Sequence, residues 1–215
     1  MRTLIAVLIA ALLAGCSTTN NTQTYGVSME NNQLLKSLEN PRQIMVGSFT
    51  TSGPNSASIG CRSMGLSINV PASSFESYIR DALVDELKLA GIYSINSKTV
   101  LTTNFEKIDF SSTFSGNWII SAQFSFPDQK PFTVTSNYSF SDVNYGMQLA
   151  CANTAAAFEP AVQNFIKNLF IDTRFREAVT QHNIKTVNDM HPMDTTDKNS
   201  VDVYTIVDPD FRTVN

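Results

Sequence analysis

Two neighbouring segments of alternating apolar residues constrain the fold of this chain more than any other feature. In the first, residues 117–126, every second residue is apolar: Trp118, Ile120, Ala122, Phe124 and Phe126. In the second, residues 132–140, the apolar positions are Phe132, Val134, Tyr138 and Phe140. Side chains that alternate with period two give a strand one buried and one solvated face. Because only residues 127–131 separate the segments, we expect an antiparallel hairpin in a sheet with one apolar face.

Three further segments also predict strands. Residues 42–49 alternate in a way that favours partial burial on both faces, and residues 64–70 alternate with one apolar face until Pro71 ends the pattern. Residues 51–60 between them are rich in turn-forming residues. In residues 100–110 the apolar phase changes near Glu106, which a β-bulge would explain.

Two helical regions accompany these strands. In residues 73–91, Ser73 and Glu76 fit a capping box, and Gly91 fits the residue that follows a helix C-cap. Its apolar stripe consists of Phe75, Ile79, Leu83, Leu87 and Ala90, and its other face, predicted to be solvated, carries Arg80, Asp81, Asp85, Glu86 and Lys88. The second region, residues 147–171, contains Pro160, where we expect a kink or two abutting helices.

The element order β-β-α-β-β-β-α predicts an α+β fold, with an antiparallel sheet of about five strands and two helices packed on one face. We assign residues 42–171 to this single domain. The polar residues 16–41 are interpreted as a tether. Residues 172–215 form a polar C-terminal tail with one candidate strand at 201–207, and we expect this tail to be peripheral, partly disordered, or both.

The N-terminus predicts export. Arg2 precedes an uninterrupted apolar run, residues 4–13, which is too short to span a bilayer and has the length of a signal-peptide core. The run ends in Leu13-Ala14-Gly15-Cys16, which resembles the bacterial lipobox at every position. The resemblance implies that residues 1–15 are a lipoprotein signal peptide and that acyl chains such as palmitate on Cys16 anchor the protein to a membrane. Because Ser17 rather than Asp follows, the Gram-negative sorting rule implies the periplasmic face of the outer membrane.

A second resemblance covers residues 42–171. The motifs are Cys61-Arg62, Gly65, Pro71, Phe75-Glu76-Ser77-Tyr78-Ile79-Arg80-Asp81-Ala82-Leu83, Glu86-Leu87, Gly116-Asn117-Trp118 and Ala150-Cys151. Together they resemble small Gram-negative envelope lipoproteins of the YajG-like kind. Because those families are largely uncharacterised, the resemblance transfers no functional residue, but related folds serve as accessory subunits of lipid-transport or cell-wall machines.

The cysteines predict one disulfide. If lipid occupies Cys16, then Cys61 and Cys151 remain, and an oxidising periplasm would keep them paired. The alternative is two unpaired, buried thiols that behave as small apolar residues. A redox role is disfavoured because the Cys-x-x-Cys spacing is missing.

Several function classes are disfavoured by composition and motifs. Removal of residues 1–15 takes away Arg2 alone, so 15 basic residues become 14 against 19 acidic ones, a net charge of −5. This balance argues against a nucleic-acid partner. The two histidines, His182 and His191, lie in the polar tail without the clustered ligands that zinc needs, and the sequence has neither a Gly-x-Ser-x-Gly elbow nor a phosphate-binding glycine loop. We therefore predict no catalytic residues, no metal and no cofactor.

Two function classes remain. The first is a non-catalytic, lipid-anchored module that binds an envelope protein as an accessory subunit. The alternative is a carrier that holds a lipid or other amphiphile in a cavity between sheet and helices, where the aromatic residues of the hairpin could line a pocket. Alternating aromatic residues are, however, what a sheet buries under helices, and their phase favours ordinary core packing over a ligand cavity. A void of several hundred Å³ there would favour the carrier, and a close-packed interior with one exposed apolar patch would favour the binding module, at about the sizes usual for such features.

Overall fold

A computed structural model describes residues 19–53, 55–62, 65–113, 115–141 and 146–180. The strands in these ranges are β1 Thr19–Asn21, β2 Met45–Thr51, β3 Ser58–Gly60, β4 Ser67–Asn69, β5 Val100–Ser111, β6 Gly116–Ser125 and β7 Phe132–Phe140. The helices are α1 Met29–Lys36, α2 Phe75–Leu89, α3 Gly146–Ala156, α4 Phe158–Ile171 and α5 Thr173–Val179. The fold is therefore α+β, as predicted.

The hairpin predicted from alternation is confirmed. Strands β6 and β7 pair antiparallel, with Trp118 opposite Tyr138 and Phe124 opposite Phe132. Strand β5 pairs antiparallel with β6, and the register shifts between Phe105 and Lys107, so the predicted bulge is also confirmed. The bulge lets β5 keep Phe105 in the core although the apolar phase of the strand changes beyond it.

The prediction of one antiparallel sheet of about five strands is wrong. The strands form a four-stranded sheet of order β2-β5-β6-β7 and a three-stranded sheet of order β1-β4-β3. Strand β2 pairs parallel with β5, because the chain returns to the sheet through helix α2, as a parallel connection requires. The strand predicted at 64–70 is shortened to Ser67–Asn69, and it pairs with two short strands outside the predicted set.

Both predicted helical regions are helical, with one shift, but the prediction of two helices is wrong, because the described residues form five. The N-cap of α2 is Ser74, whose capping box is closed by Ser77, so the predicted box of Ser73 and Glu76 is wrong by one residue. At the other end, Gly91 has a φ of +79° and follows the C-cap, as predicted. The second helical region is two abutting helices, α3 and α4, and Pro160 lies in the first turn of α4, where its missing N–H group costs no hydrogen bond.

Aromatic rings fill the space between the four-stranded sheet and the helices. Trp118 of β6 contacts Phe158 of α4 at a centroid distance of 4.7 Å, and its indole N–H donates to the Thr154 carbonyl oxygen at 2.9 Å. Deeper in the sheet, Phe124 stacks on Phe165 of α4 at 5.9 Å. All of these rings are buried. Most of the aromatic stripe of the hairpin is therefore core, while Tyr138 and Phe140 are partly buried against it.

The segments at either side of residues 42–171 pack differently from the tether and tail that the sequence suggested. Strand β1 pairs in parallel with β4, and α1 buries Leu35, which is only 1% exposed. Helix α5 likewise buries Phe175 and Val179. Both segments contain only a few apolar residues, which are too sparse to give a periodic pattern. These residues pack against side chains that are far away in the sequence. Residues 1–18 and 181–215 lie outside the described residues, and with them the predictions for Cys16, Ser17 and the strand at 201–207.

Candidate functional site

The predicted disulfide between Cys61 and Cys151 is confirmed. The two Cα atoms are 6.0 Å apart, and both cysteines are fully buried. The bond joins the turn after β3 to helix α3. Beside it, the Arg62 guanidinium donates to the hydroxyl and carbonyl oxygens of Ser112, which follows the last residue of β5. We call this part of the fold the disulfide end: the region where β5 ends, β6 begins and α3 starts.

A buried carboxylate holds the N-terminal residues to the domain. Glu86 of α2 is 0% exposed, so the predicted solvated face is wrong at this residue. Its Oε1 atom accepts hydrogen bonds from the Tyr25 hydroxyl at 2.6 Å, the Ser28 backbone N–H at 2.7 Å and the Asn31 side-chain amide at 3.3 Å. Burial first, and then the bond to Glu86, raises the pKa of Tyr25 above its ordinary value of 10.0. The phenol therefore stays protonated as a donor.

Further contacts hold the same stretch, residues 19–36, which we call the N-terminal strap. The Tyr78 hydroxyl donates to the Gln23 carbonyl oxygen at 2.8 Å, and the Gln163 side-chain amide of α4 donates to the Gly26 carbonyl oxygen at 2.8 Å. Ser28 caps α1 by accepting from the Asn31 N–H. The strap is thus attached to both α2 and α4, and the interpretation of these residues as a free tether does not describe their packing.

A polar groove lies at the opposite end of the four-stranded sheet, where β5 begins. Its volume is about 380 Å³. The lining residues are Arg42, Lys98, Thr99, Phe126, Pro127, Asp128, Gln129, Glu177 and Ala178. We call it the distal groove. Two cationic and two anionic side chains share its lining, and Arg42 also donates to the Thr180 carbonyl oxygen at 2.9 Å, which connects its wall to the end of α5.

The described residues contain no group of three or more His, Cys, Asp or Glu side chains placed to hold a metal ion. The two histidines of the tail, His182 and His191, fall outside that part of the chain. Within the same ranges, none of the helices has both the length and the apolar character needed to cross a bilayer.

Sequence reasoning located the cysteine pair but missed the other two features. The distal groove draws its lining from four segments that are far apart in sequence, so no local motif marks it. Glu86 is adjacent in sequence to Leu87 of the apolar stripe, yet its charge favoured the solvated face. The donors to its Oε1 atom come from residues 25–31, which carried no strong pattern of their own.

Comparison with known proteins gives a likeness of fold. No family model matches the chain, and no curated protein matches it. Among solved structures, a Xanthomonas campestris protein of the family model DUF330 has a TM-score of 0.51 at 16% identity and covers 71% of this chain and 92% of its own. An uncharacterized protein has a TM-score of 0.42 at 10% identity, covering 71% of this chain and 99% of its own. A PelC variant from Paraburkholderia phytofirmans, crystallised as a dodecamer, has a TM-score of 0.31 at 12% identity and covers 58% of this chain and 91% of its own.

Proposed function

We propose that this protein is a non-catalytic accessory module of the cell envelope, anchored by lipid on Cys16 to the periplasmic face of the outer membrane. It binds a protein partner through the distal groove. The fold shared with a DUF330 protein is compatible with this role, and the lipobox and Ser17 supply the location. The packed aromatic interior disfavours the alternative of an amphiphile carrier, because the rings that would line its cavity contact one another.

The observation that carries the proposal is the position of the distal groove. Strand β5 runs from Val100, next to the groove, to Ser111 at the disulfide end. Its 12 residues span roughly 36 Å at about 3.3 Å per residue. Strand β1 begins at the disulfide end, because Thr19 pairs with Ser67, which also pairs with Gly60, the residue before Cys61. A lipid on Cys16 therefore leaves the groove facing away from the membrane, where another envelope protein can reach it.

The lining of the groove indicates the chemistry of its partner. Lys98 and Asp128 present opposite charges at its rim, and Phe126 contributes a buried aromatic floor. Charges of both signs suit a protein surface with a complementary pair of charges, whereas a lipid headgroup or nucleic acid would favour a cationic lining. Rim charges mainly control association rate and its dependence on salt.

A photo-crosslinking experiment in intact cells tests the proposal. A photoreactive residue at Lys98 is expected to trap one defined envelope protein, whereas the same residue at Asp85, on the exposed face of α2, is expected to trap none. Equal adducts from both positions, or none from Lys98, would contradict a role for the groove. With the partner identified, Lys98→Glu should slow association by about tenfold at low salt, and the difference should diminish at high salt.

Labelling tests the anchor separately. Cys16→Ala should abolish incorporation of a radioactive fatty acid that the wild-type protein incorporates. Equal labelling of the two proteins would contradict lipidation at Cys16 and leave the groove experiment unaffected.

A further inference from the structure

The first strand of the described residues begins only three positions after Cys16. Thr19 is the first residue of β1 and pairs with Ser67 of β4. Three residues reach at most about 11 Å even when fully extended. An acyl chain on Cys16 must therefore hold the start of β1 within that distance of the lipid headgroups, whereas a tether of residues 16–41 would have allowed the domain to drift much farther.

From this short connection we infer that the disulfide end is a membrane-contacting face that rests on the phospholipid surface. The inference deepens the proposed function and rests on the lipid anchor at Cys16. A short linker keeps an attached face at a high effective concentration near its target, so weak contacts that would fail in a free protein can persist. The hydrogen bonds of the N-terminal strap to α2 and α4 hold the strap on the domain. The connection between the lipid and the domain therefore cannot become longer by detachment of the strap.

The first turn of α3 supplies the apolar contact. Met147 and Leu149 are 40% and 49% exposed, large values for side chains of this kind. Both lie within the first two turns of α3, as does Cys151, which the disulfide fixes beside Cys61 at the end of the fold where β1 begins. Helix α3 also packs against β1 and β4. Exposed Met and Leu side chains within reach of an acyl anchor fit the boundary between headgroups and acyl chains.

Another exposed apolar residue provides the matched comparison. Ile95 is 71% exposed, and it lies in the connection between α2 and β5 near the distal groove. If apolar exposure alone brought side chains to lipid, Ile95 would be the stronger candidate. If the anchor sets the orientation, then Leu149 contacts lipid and Ile95 stays in water.

Spin-label depth measurements on the full lipidated chain test the inference. The protein, with its disulfide intact, is reconstituted into vesicles of phosphatidylethanolamine and phosphatidylglycerol, and a nitroxide is placed at position 149 or 95. Mass spectrometry of each sample first establishes that Cys16 is acylated. We expect the label at 149 to lie within about 5–10 Å of the headgroup level, protected from a water-soluble relaxant and accessible to oxygen. The label at 95 should show the reverse.

The outcomes distinguish failure of the membrane-contacting face from failure of the lipid anchor. An acylated protein whose two labels are equally exposed to the water-soluble relaxant overturns the membrane-contacting face and leaves the proposed function standing. An unacylated Cys16 overturns the anchor and the inference together. A variant with about 20 Gly and Ser residues inserted between Ser17 and Thr18 keeps the lipid and the fold but removes the constraint, so its label at 149 should become at least severalfold more accessible to the relaxant. Unchanged protection in that variant would contradict the role of the short connection.

Discussion

Replacement of Tyr25 by Phe should destabilise the protein more than the same replacement at Tyr78, although both hydroxyl groups hold the N-terminal strap. Tyr25 donates to the buried carboxylate of Glu86 at 2.6 Å, whereas Tyr78 donates to the neutral carbonyl of Gln23 at 2.8 Å. A hydrogen bond to a charged group contributes about 1.5–3 kcal/mol and one to a neutral group about 0.5–1.5 kcal/mol. The two rings contact each other edge to face at 6.3 Å, and phenylalanine preserves that contact in either variant.

The measurement is urea unfolding, at neutral pH, of the chain expressed without residues 1–16, followed by circular dichroism. We expect Tyr25→Phe to lower the free energy of unfolding by about 2 kcal/mol and Tyr78→Phe by about 1 kcal/mol, with unchanged slopes against urea. Hydrogen exchange should also rise in residues 25–31 for the first variant, because Glu86 then retains only the bonds from Ser28 and Asn31. An equal or smaller loss for Tyr25→Phe would refute the claim that the buried carboxylate holds the strap.

The pH dependence of the same variants follows from the raised pKa of Tyr25. Folding holds the phenol proton more tightly than the unfolded chain does, so this contribution to stability is fully present below the ordinary pKa of 10.0 and is lost as pH rises above it. Tyr25→Phe has no proton to release at that position. The stability difference between wild type and Tyr25→Phe should therefore narrow above about pH 10. A gap that stays constant from pH 7 to pH 11 would contradict the assigned environment of Tyr25.

Three further predictions concern other parts of the chain. Reduction of the bond between Cys61 and Cys151, which are separated by 90 positions, should lower the free energy of unfolding by up to roughly 4.6 kcal/mol, measured as a shift of the urea midpoint; an unshifted midpoint would contradict it. Gly116→Ala should cost about 1–3 kcal/mol, because a Cβ atom there would overlap the ring of Phe140 on the paired strand, and a melting temperature equal to wild type would exclude that overlap. Ser17→Asp should move the protein from the outer to the inner membrane on a density gradient, and an unchanged distribution would show that residue 17 does not govern sorting.

The sequence predicted the parts of the fold that rest on local periodicity. The β6–β7 hairpin, the bulge near Glu106 and helix α2 all follow from patterns within about twenty residues, where side-chain spacing reports burial directly. The pairing of β1 with β4 could not be predicted in this way. Strands of three residues are too short to show alternation, and their partners lie about fifty positions apart.

The candidate sites were likewise predictable only where the evidence did not depend on contacts between distant parts of the sequence. The cysteine pair was predictable because only two cysteines remain after Cys16, so a single pairing was available. The burial of Glu86 was not predictable, because its hydrogen-bond donors belong to residues 25–31, which are distant in the sequence. A charged residue next to an apolar stripe is usually solvated, and only the tertiary partners show that this one is enclosed.

The path of the N-terminal strap has a consequence for the order in which an exported chain can mature. If the chain is exported N-terminus first, as proposed, these residues arrive first, yet Gly26 is held by Gln163, and Cys61 is oxidised with Cys151. Neither connection can form until more than two thirds of the chain has been delivered. Until then the N-terminal strap can contact only β4 and α2, through the pairing of Thr19 with Ser67 and the bonds to Glu86, and it lacks its contacts with α4. In an exported chain, folding would therefore be completed where translocation began, and a chain arrested before α4 would leave the strap without its α4 contacts and more open to proteases.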